Sequence, residues 1–298
     1  MSETPLAAWM GDVSPEQLGF PLEVDRNLYS KETGIVYKNT ASGALELDLY
    51  RPLGTDRPAA PGVIMIHGGG WHGGGRFQMG LTRWAGYLAS AGFCVVSIDY
   101  RLAPQTAYPD SFQDCLDAID YFVDHAAEFG VDPDRLGLWG DSAGGHLVLL
   151  TATSQTQPHP SGPRLRCGGS RFRGVVAWYP PTDLLALHQL AQRAQAGDSV
   201  VSAFAGTDPS QDMARWEEIS PIRQVHAATP PCLILQGTAD FLVPHDQATR
   251  YAERAKEVGA DVELHLVEGA PHGLDRVAAG PEARRLIERS RAFLLEQL

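Results

Sequence analysis

The hexapeptide Gly140-Asp141-Ser142-Ala143-Gly144-Gly145 holds the clearest chemistry in this chain of 298 residues. It contains G-x-S-x-G. The apolar run Leu136 to Trp139 precedes it and a helical run, His146 to Ala152, follows. A serine on a sharp strand-to-helix turn needs small neighbours, because side chains there would collide. The turn also sets Ser142 at a helix N-terminus, where free N–H groups favour developing negative charge. The chemistry is nucleophilic attack on a carbonyl. A second glycine cluster, His67-Gly68-Gly69-Gly70-Trp71, directly follows the strand-like run Val63 to Ile66. Such glycines let backbone N–H groups approach an oxygen unobstructed. With the N–H of Ala143 they can form an oxyanion hole. A phosphate loop would need a following GK[ST], or G-x-G-x-x-G opening a helix, and neither is present.

A serine alone is a poor nucleophile and requires a base. Ten histidines compete for the part. His272 lies in Gly269-Ala270-Pro271-His272-Gly273, just after the run Val262 to Val267. Asp240 lies in Gly237-Thr238-Ala239-Asp240, just after Cys232 to Leu235. Loops at the C-terminal ends of parallel strands are where such folds place catalysis. The order Ser142, Asp240, His272 differs from both well-known serine protease orders. Asp240 would hold the imidazole in one tautomer and stabilise the imidazolium. His125, His146, His226 and His265 sit on helix or strand patterns and read as structural. His67 reads as a brace for its loop and His72 as a polar loop residue. Asp246 and Asp261 are rival acids, but Asp246 opens a helix and Asp261 a strand.

The elements that must carry these groups alternate along the chain. Leu45 to Tyr50 has period two, as in a half-solvated strand near a sheet edge. Val63 to Ile66, Phe93 to Ile98, Leu136 to Trp139, Val175 to Trp178 and Cys232 to Leu235 are short apolar runs of the kind buried on both faces. Val262 to Val267 closes the series. Between them, Phe112, Leu116, Ile119, Val123 and Ala126 line one helical face, with Asp110 or Ser111 to cap it and Gly130 to stop it. Pro281 to Leu298 reads as a final amphipathic helix. Strands alternating with helices predict a mostly parallel sheet covered on both faces. Residues 1–30 and 155–229 fall outside the alternation. The second region holds a Pro/Gly/Ser-rich loop, Gln157 to Gly169, and a polar helical segment, Leu184 to Val201. Long insertions of this kind commonly serve as lids.

Composition narrows the function classes. There are 24 Lys and Arg against 36 Asp and Glu, a net charge of −12. That balance argues against nucleic acid and anionic membrane surfaces. A hydrophobic fraction of 44 % and charged fraction of 20 % exclude a disordered chain. No apolar stretch approaches the roughly 18 residues of a bilayer span. Met1 to Gly11 lack a leader's basic and apolar regions. Cys94, Cys115, Cys167 and Cys232 form no CxxC and read as reduced thiols, so a cytoplasmic location is expected. No cofactor or metal is expected, because no ligand cluster has the required spacing.

The motifs HGGGW (67–71), DYRLAP (99–104), GDSAGG (140–145), GTADFLVP (237–244) and GAPHG (269–273) resemble the α/β-hydrolase superfamily and, within it, the hormone-sensitive-lipase-like esterases. The chain order of Ser142, Asp240 and His272 agrees with that superfamily. The resemblance implies an eight-stranded, mostly parallel sheet with helices on both faces and a small helical cap. It implies that Gly69 and Gly70 donate to the oxyanion together with Ala143. DYRLAP looks like the family's structural loop near the sheet. The tryptophan after the glycines is also similar to the HGGxW of aryl formamidases and of bacterial feruloyl or acetyl-xylan esterase-like proteins.

The expectation is one catalytic domain over 1–298, with cap elements at 1–30 and 180–225. Its activity would be hydrolysis of short-chain acyl or aryl esters through an acyl-enzyme. An aryl formamidase or related amide, acetyl-xylan or feruloyl-type hydrolase is the alternative. The partner is a small-molecule ester, and a homodimer is compatible with the sequence. Trp71, Phe77, Trp178, Phe204, Trp216 and Phe241 are candidate pocket residues, although ordinary core or lid packing accounts equally for each.

Overall fold

A computed structural model of the protein describes residues 20–54, 59–155, 162–193, 199–276 and 281–298. Its centre is one sheet of eight strands: β1 (Tyr29–Thr40), β2 (Gly43–Pro52), β3 (Ala60–Ile66), β4 (Cys94–Ile98), β5 (Val131–Asp141), β6 (Phe172–Trp178), β7 (Cys232–Gly237) and β8 (Val262–Val267). The strand order is β1-β2-β4-β3-β5-β6-β7-β8. β2 runs antiparallel to both its neighbours, and β3 to β8 are parallel throughout. This is the α/β-hydrolase fold.

Alternation along each strand feeds two cores. Ile64 and Ile66 of β3 face one side of the sheet, with Val96, Leu138 and Val175 beside them. That side is covered by α2 (Asp110–Asp124), α3 (Ala126–Phe129), α4 (Ala143–Ser154) and α9 (Asp246–Val258). Val63 and Met65 face the other side, with Val95, Trp139 and Val176. There α1 (Met79–Ser90) and α10 (Pro281–Gln297) cover the sheet through Trp84, Leu88, Leu286 and Phe293. Because both faces are buried, β3 and β4 read in sequence as largely apolar runs, with Ser97 the one polar residue in β4.

The helices follow their signals. Phe112, Leu116 and Ile119 are buried on one face of α2, and Asp110 places a negative charge in its first turn. Pro109, with no side-chain cap, holds the N-cap position expected of Asp110 or Ser111. The single helix expected up to Gly130 is instead broken at His125: α2 ends there, Ala126 belongs to α3, and Gly130 ends α3 in the left-handed conformation.

Between β6 and β7 the described residues form four short helices, α5 (Leu184–Arg193), α6 (Val200–Ala205), α7 (Met213–Glu218) and α8 (Pro221–Gln224). The polar segment anticipated at Leu184 to Val201 thus spans α5 and the start of α6, and its residues 194–198 lie outside the described residues, as do 157–161 of the Gln157 to Gly169 loop.

Residues 1–19 of the expected N-terminal cap element are likewise outside the description. The part that follows packs on α1: the Phe20 ring is 5.2 Å from that of Trp84. Among the described residues, no helix is long and apolar enough to cross a membrane.

Candidate active site

The parallel strands end on one edge of the sheet, and the chemistry collects there. β5 runs directly into Ser142, whose φ of 52° and ψ of −119° are strained for a residue with a Cβ. The strain is held by the neighbouring backbone. Ser142 N–H donates to Trp178 O at 2.8 Å, and its own carbonyl accepts from His146 N at 2.9 Å as α4 begins. A Cβ on Gly144 would lie 2.0 Å from Ile66 O, so only glycine lets α4 press this closely against the end of β3.

Two loops bring partners to Ser142. His272, beyond β8, places Nε2 3.0 Å from Ser142 Oγ. Its Nδ1 lies 2.7 Å from Asp240 Oδ2, beyond β7. Asp240 is itself fixed: Oδ1 accepts the Leu242 and Val243 N–H groups at 3.0 and 2.9 Å, and Oδ2 also accepts Gln236 Nε2 at 3.0 Å. With acceptor contacts filling the carboxylate, His272 carries its proton on Nδ1 and turns an unprotonated Nε2 toward Ser142. The Tyr179 ring stands 4.5 Å from the imidazole and backs it.

The HGGG loop approaches from β3. Gly69 has φ of 121°, and a Cβ there would lie 2.2 Å from Gly73 O. Among the described residues, the N–H groups of Gly69 and Gly70 find no protein acceptor. The Ala143 N–H, in the first turn of α4, has no intrahelical partner either. Such donors suit an anionic oxygen.

The loop is braced rather than loose. His67 is buried, its Nδ1 is 2.7 Å from Gly68 O, and its ring stacks on Tyr100 at 4.4 Å. Burial lowers its pKa, which keeps it neutral. Tyr100 belongs to DYRLAP, and Ala103 of the same motif donates N–H to Trp71 O at 2.8 Å. His72 places Nδ1 3.1 Å from Gly70 O.

The aromatic residues expected in the pocket fare differently. Trp71, Trp178, Phe204 and Trp216 are at most 2 % exposed and offer a substrate no accessible surface. Strand alternation puts Trp178 with Val176 in the core under α1, its ring 5.4 Å from that of Trp84. Trp216 packs 4.8 Å from His188 within the helices between β6 and β7. Trp71 stacks on Phe204 at 5.1 Å and donates Nε1–H to His146 Nδ1 at 3.2 Å. These two rings therefore dock α6 onto the HGGG loop. Phe241 and Phe77 are open, at 59 % and 67 % exposed, and Phe241 directly follows Asp240. Val200, which no motif marked, lies 3.9 Å from where a Gly70 Cβ would be. Among the described residues no group of His, Cys, Asp and Glu could hold a metal.

His146 makes a pH-dependent contribution. Burial lowers its pKa to about 4, while Nε2–H donates to Ile219 O at 2.8 Å. An unfolded imidazole titrates near 6.5. Between these values the unfolded chain binds a proton that the native state refuses. The site's stability is therefore intact above about pH 6.5 and is lost as pH falls toward 4. The expected loss between pH 7 and pH 5 is about 2 kcal/mol. Denaturant unfolding at both pH values should give His146→Gln a smaller difference than the parent by this amount, and equal differences would contradict the assignment.

The sequence matches the BD-FAE family over residues 47–254, a span that includes Ser142 and Asp240. Esterase LipC of Mycobacterium tuberculosis is 29 % identical over 265 residues, covering 85 % of this chain and 64 % of that protein. This chain thus spans a little under two-thirds of that relative's length. Ethyl acetate hydrolase of Pseudomonas putida is 30 % identical over 246 residues, with coverage of 79 % and 73 %. The propionate-bound structure of esterase Est2 from Thermogutta terrifontis matches with a TM-score of 0.71 at 29 % identity, over 89 % of this chain and 93 % of that one. With the family match covering most of the chain and a relative 30 % identical over 79 % of it, the chain belongs to the BD-FAE family, among the hormone-sensitive-lipase-like α/β-hydrolases.

Proposed function

We propose that this chain is a serine carboxylesterase acting on short-chain acyl or aryl esters. The observation that carries the proposal is the continuous line Asp240–His272–Ser142, at 2.7 and 3.0 Å, beside three unclaimed backbone donors. Ser142 Oγ attacks the ester carbonyl as His272 Nε2 takes its proton. The Gly69, Gly70 and Ala143 N–H groups hold the oxyanion of the tetrahedral intermediate. The C–O bond to the alcohol then breaks, and His272 returns the proton to the leaving oxygen. Water, deprotonated by His272, attacks the acyl-enzyme and releases the acid and free Ser142.

The reading takes residues 1–298 as one domain, supported by a single hydrogen-bonded sheet, with 180–225 as a small cap. The placement of Val200 beside Gly70, and of Phe204 on Trp71, supports that cap. Four unpaired thiols support a reducing, cytoplasmic setting. The charge of −12 supports a small-molecule substrate over nucleic acid.

A panel of p-nitrophenyl esters from C2 to C12, run beside N-formyl arylamides, tests the substrate class. Turnover should peak at C2 to C4; Val200 stands within ordinary van der Waals range of a Cβ position on Gly70, so the helices between β6 and β7 border the donor site. Est2 is named with propionate bound, which agrees with small acyl groups. Faster C12 turnover would contradict the short-chain reading, and faster formamide turnover would replace the ester by an amide.

A further inference from the structure

We propose that Arg276 is a positioning residue that couples the base-bearing loop to the oxyanion loop through Asp141. The inference rests on the serine-hydrolase reading above. Asp141 precedes the nucleophile and is 2 % exposed. Its Oδ1 accepts the Gly68 N–H at 2.9 Å, at the root of the loop whose next two N–H groups are the oxyanion donors. Its Oδ2 accepts from the Arg276 guanidinium. One buried carboxylate is thus shared between the oxyanion loop and the turn that follows His272.

That turn is tied on two sides. Arg276 N–H donates to Gly273 O at 2.9 Å, closing the turn next to the base. Asp275 accepts Tyr179 Oη at 2.6 Å and Trp84 Nε1 at 3.0 Å, which fixes it to the ring that backs His272. Arg276 reaches the opposite way, to Asp141 at the end of β5. Its Nε lies 3.2 Å from a Cβ position on Gly80, so α1 limits where the guanidinium can go. Remove the cation, and the buried Asp141 carboxylate is left without its ion-pair partner and turns toward water. That change weakens its hold on Gly68 and lets the Gly69 and Gly70 donors drift from Ser142. A drift of this kind impairs the transition state more than substrate binding.

The test begins with organophosphate labelling of the wild-type protein, read by mass at Ser142. Absence of an adduct refutes the serine-hydrolase reading itself, separately from any role of Arg276. Arg276→Gln, Arg276→Lys, Asp141→Asn and the double variant Asp141→Asn/Arg276→Gln are then compared by kcat, by KM, and by inhibition with an aliphatic trifluoromethyl ketone, whose adduct oxygen occupies the donor site. Arg276→Gln should lower kcat by roughly 10- to 100-fold, less than the about 10²–10³ for outright loss of a donor, with little change in KM. Inhibition by the ketone should weaken by a similar factor. Arg276→Lys should recover part of both, and the double variant should be little worse than Asp141→Asn alone. Arg276→Gln at wild-type kcat and ketone affinity, or losses that multiply in the double variant, would overturn the proposal. Should Arg276→Gln fail to fold, wild-type behaviour of both Arg276→Lys and Asp141→Asn would overturn it equally.

Discussion

Replacing Ser142 with alanine is expected to lower kcat on p-nitrophenyl acetate by about 10⁶, the scale seen when a serine nucleophile is deleted. Among the described residues, Ser142 Oγ is the one hydroxyl within hydrogen-bond reach of His272 Nε2, at 3.0 Å. The imidazole then has no nucleophile to deprotonate, and no acyl-enzyme can form. Some acceleration should survive, because the Gly69, Gly70 and Ala143 donors still polarise a bound carbonyl. In comparable hydrolases that remainder is about 10³–10⁴ over water. Stability should change little: alanine keeps the Cβ and the φ of 52°, and the backbone bonds to Trp178 O and His146 N do not involve the hydroxyl. The diethylphosphoryl adduct left by paraoxon should vanish in the variant. An adduct that persists, or a kcat within a hundredfold of the parent, would place the nucleophile elsewhere.

How far the fold is legible in sequence depends on burial. The inner stretches of β3 through β7 are covered on both faces, so Val63 to Ile66, Leu136 to Trp139, Val175 to Trp178 and Cys232 to Leu235 read as apolar runs whatever the partner strand. β1 is the exception. Tyr29–Thr40 pairs on one side only, with β2, and most of its side chains remain partly or fully exposed. Lys31, Glu32, Lys38 and Asn39 are tolerated there, and nothing in YSKETGIVYKNT separates an edge strand from a polar loop.

The site divides in the same way. The motifs mark Ser142, Asp240 and His272 because each stands at the end of a strand that the sequence already outlines. The aromatic side chains near them carry no such mark. An indole after a glycine loop can face a pocket or the core, and the choice falls to residues far away. Trp71 turns inward because His146 and Phe204, both distant in sequence, complete its surroundings. Arg276 was invisible for that reason as well: its acceptor, Asp141, lies 135 residues earlier. Tertiary packing over such separations leaves no local periodicity to read.

Asp240→Asn should lower kcat by about 10⁴ at neutral pH while leaving the fold in place. The amide has one acceptor where the carboxylate has two. The Leu242 and Val243 N–H groups both point at Oδ1, so the amide oxygen must take that position. Its NH₂ then faces His272 Nδ1, which can only accept. The imidazole proton moves to Nε2 and points at Ser142 Oγ, so the ring is unable to take the serine proton. A second conflict follows at Gln236, whose Nε2 donates to the same Oδ2 at 3.0 Å and to Val243 O at 3.0 Å. Flipping Gln236 offers Oε1 to the new NH₂ but turns it against the Val243 carbonyl. The variant is therefore trapped between a wrong tautomer and an opposed pair of dipoles. Asp240→Ala creates neither conflict, since it lets water reach Nδ1 and leaves both tautomers open. The distinguishing expectation is that Asp240→Asn is the poorer enzyme of the two, although it is the closer match in shape. Kinetics of both variants at pH 7, with circular dichroism to verify folding, would decide the matter; an asparagine variant within tenfold of the parent would remove Asp240 from the triad.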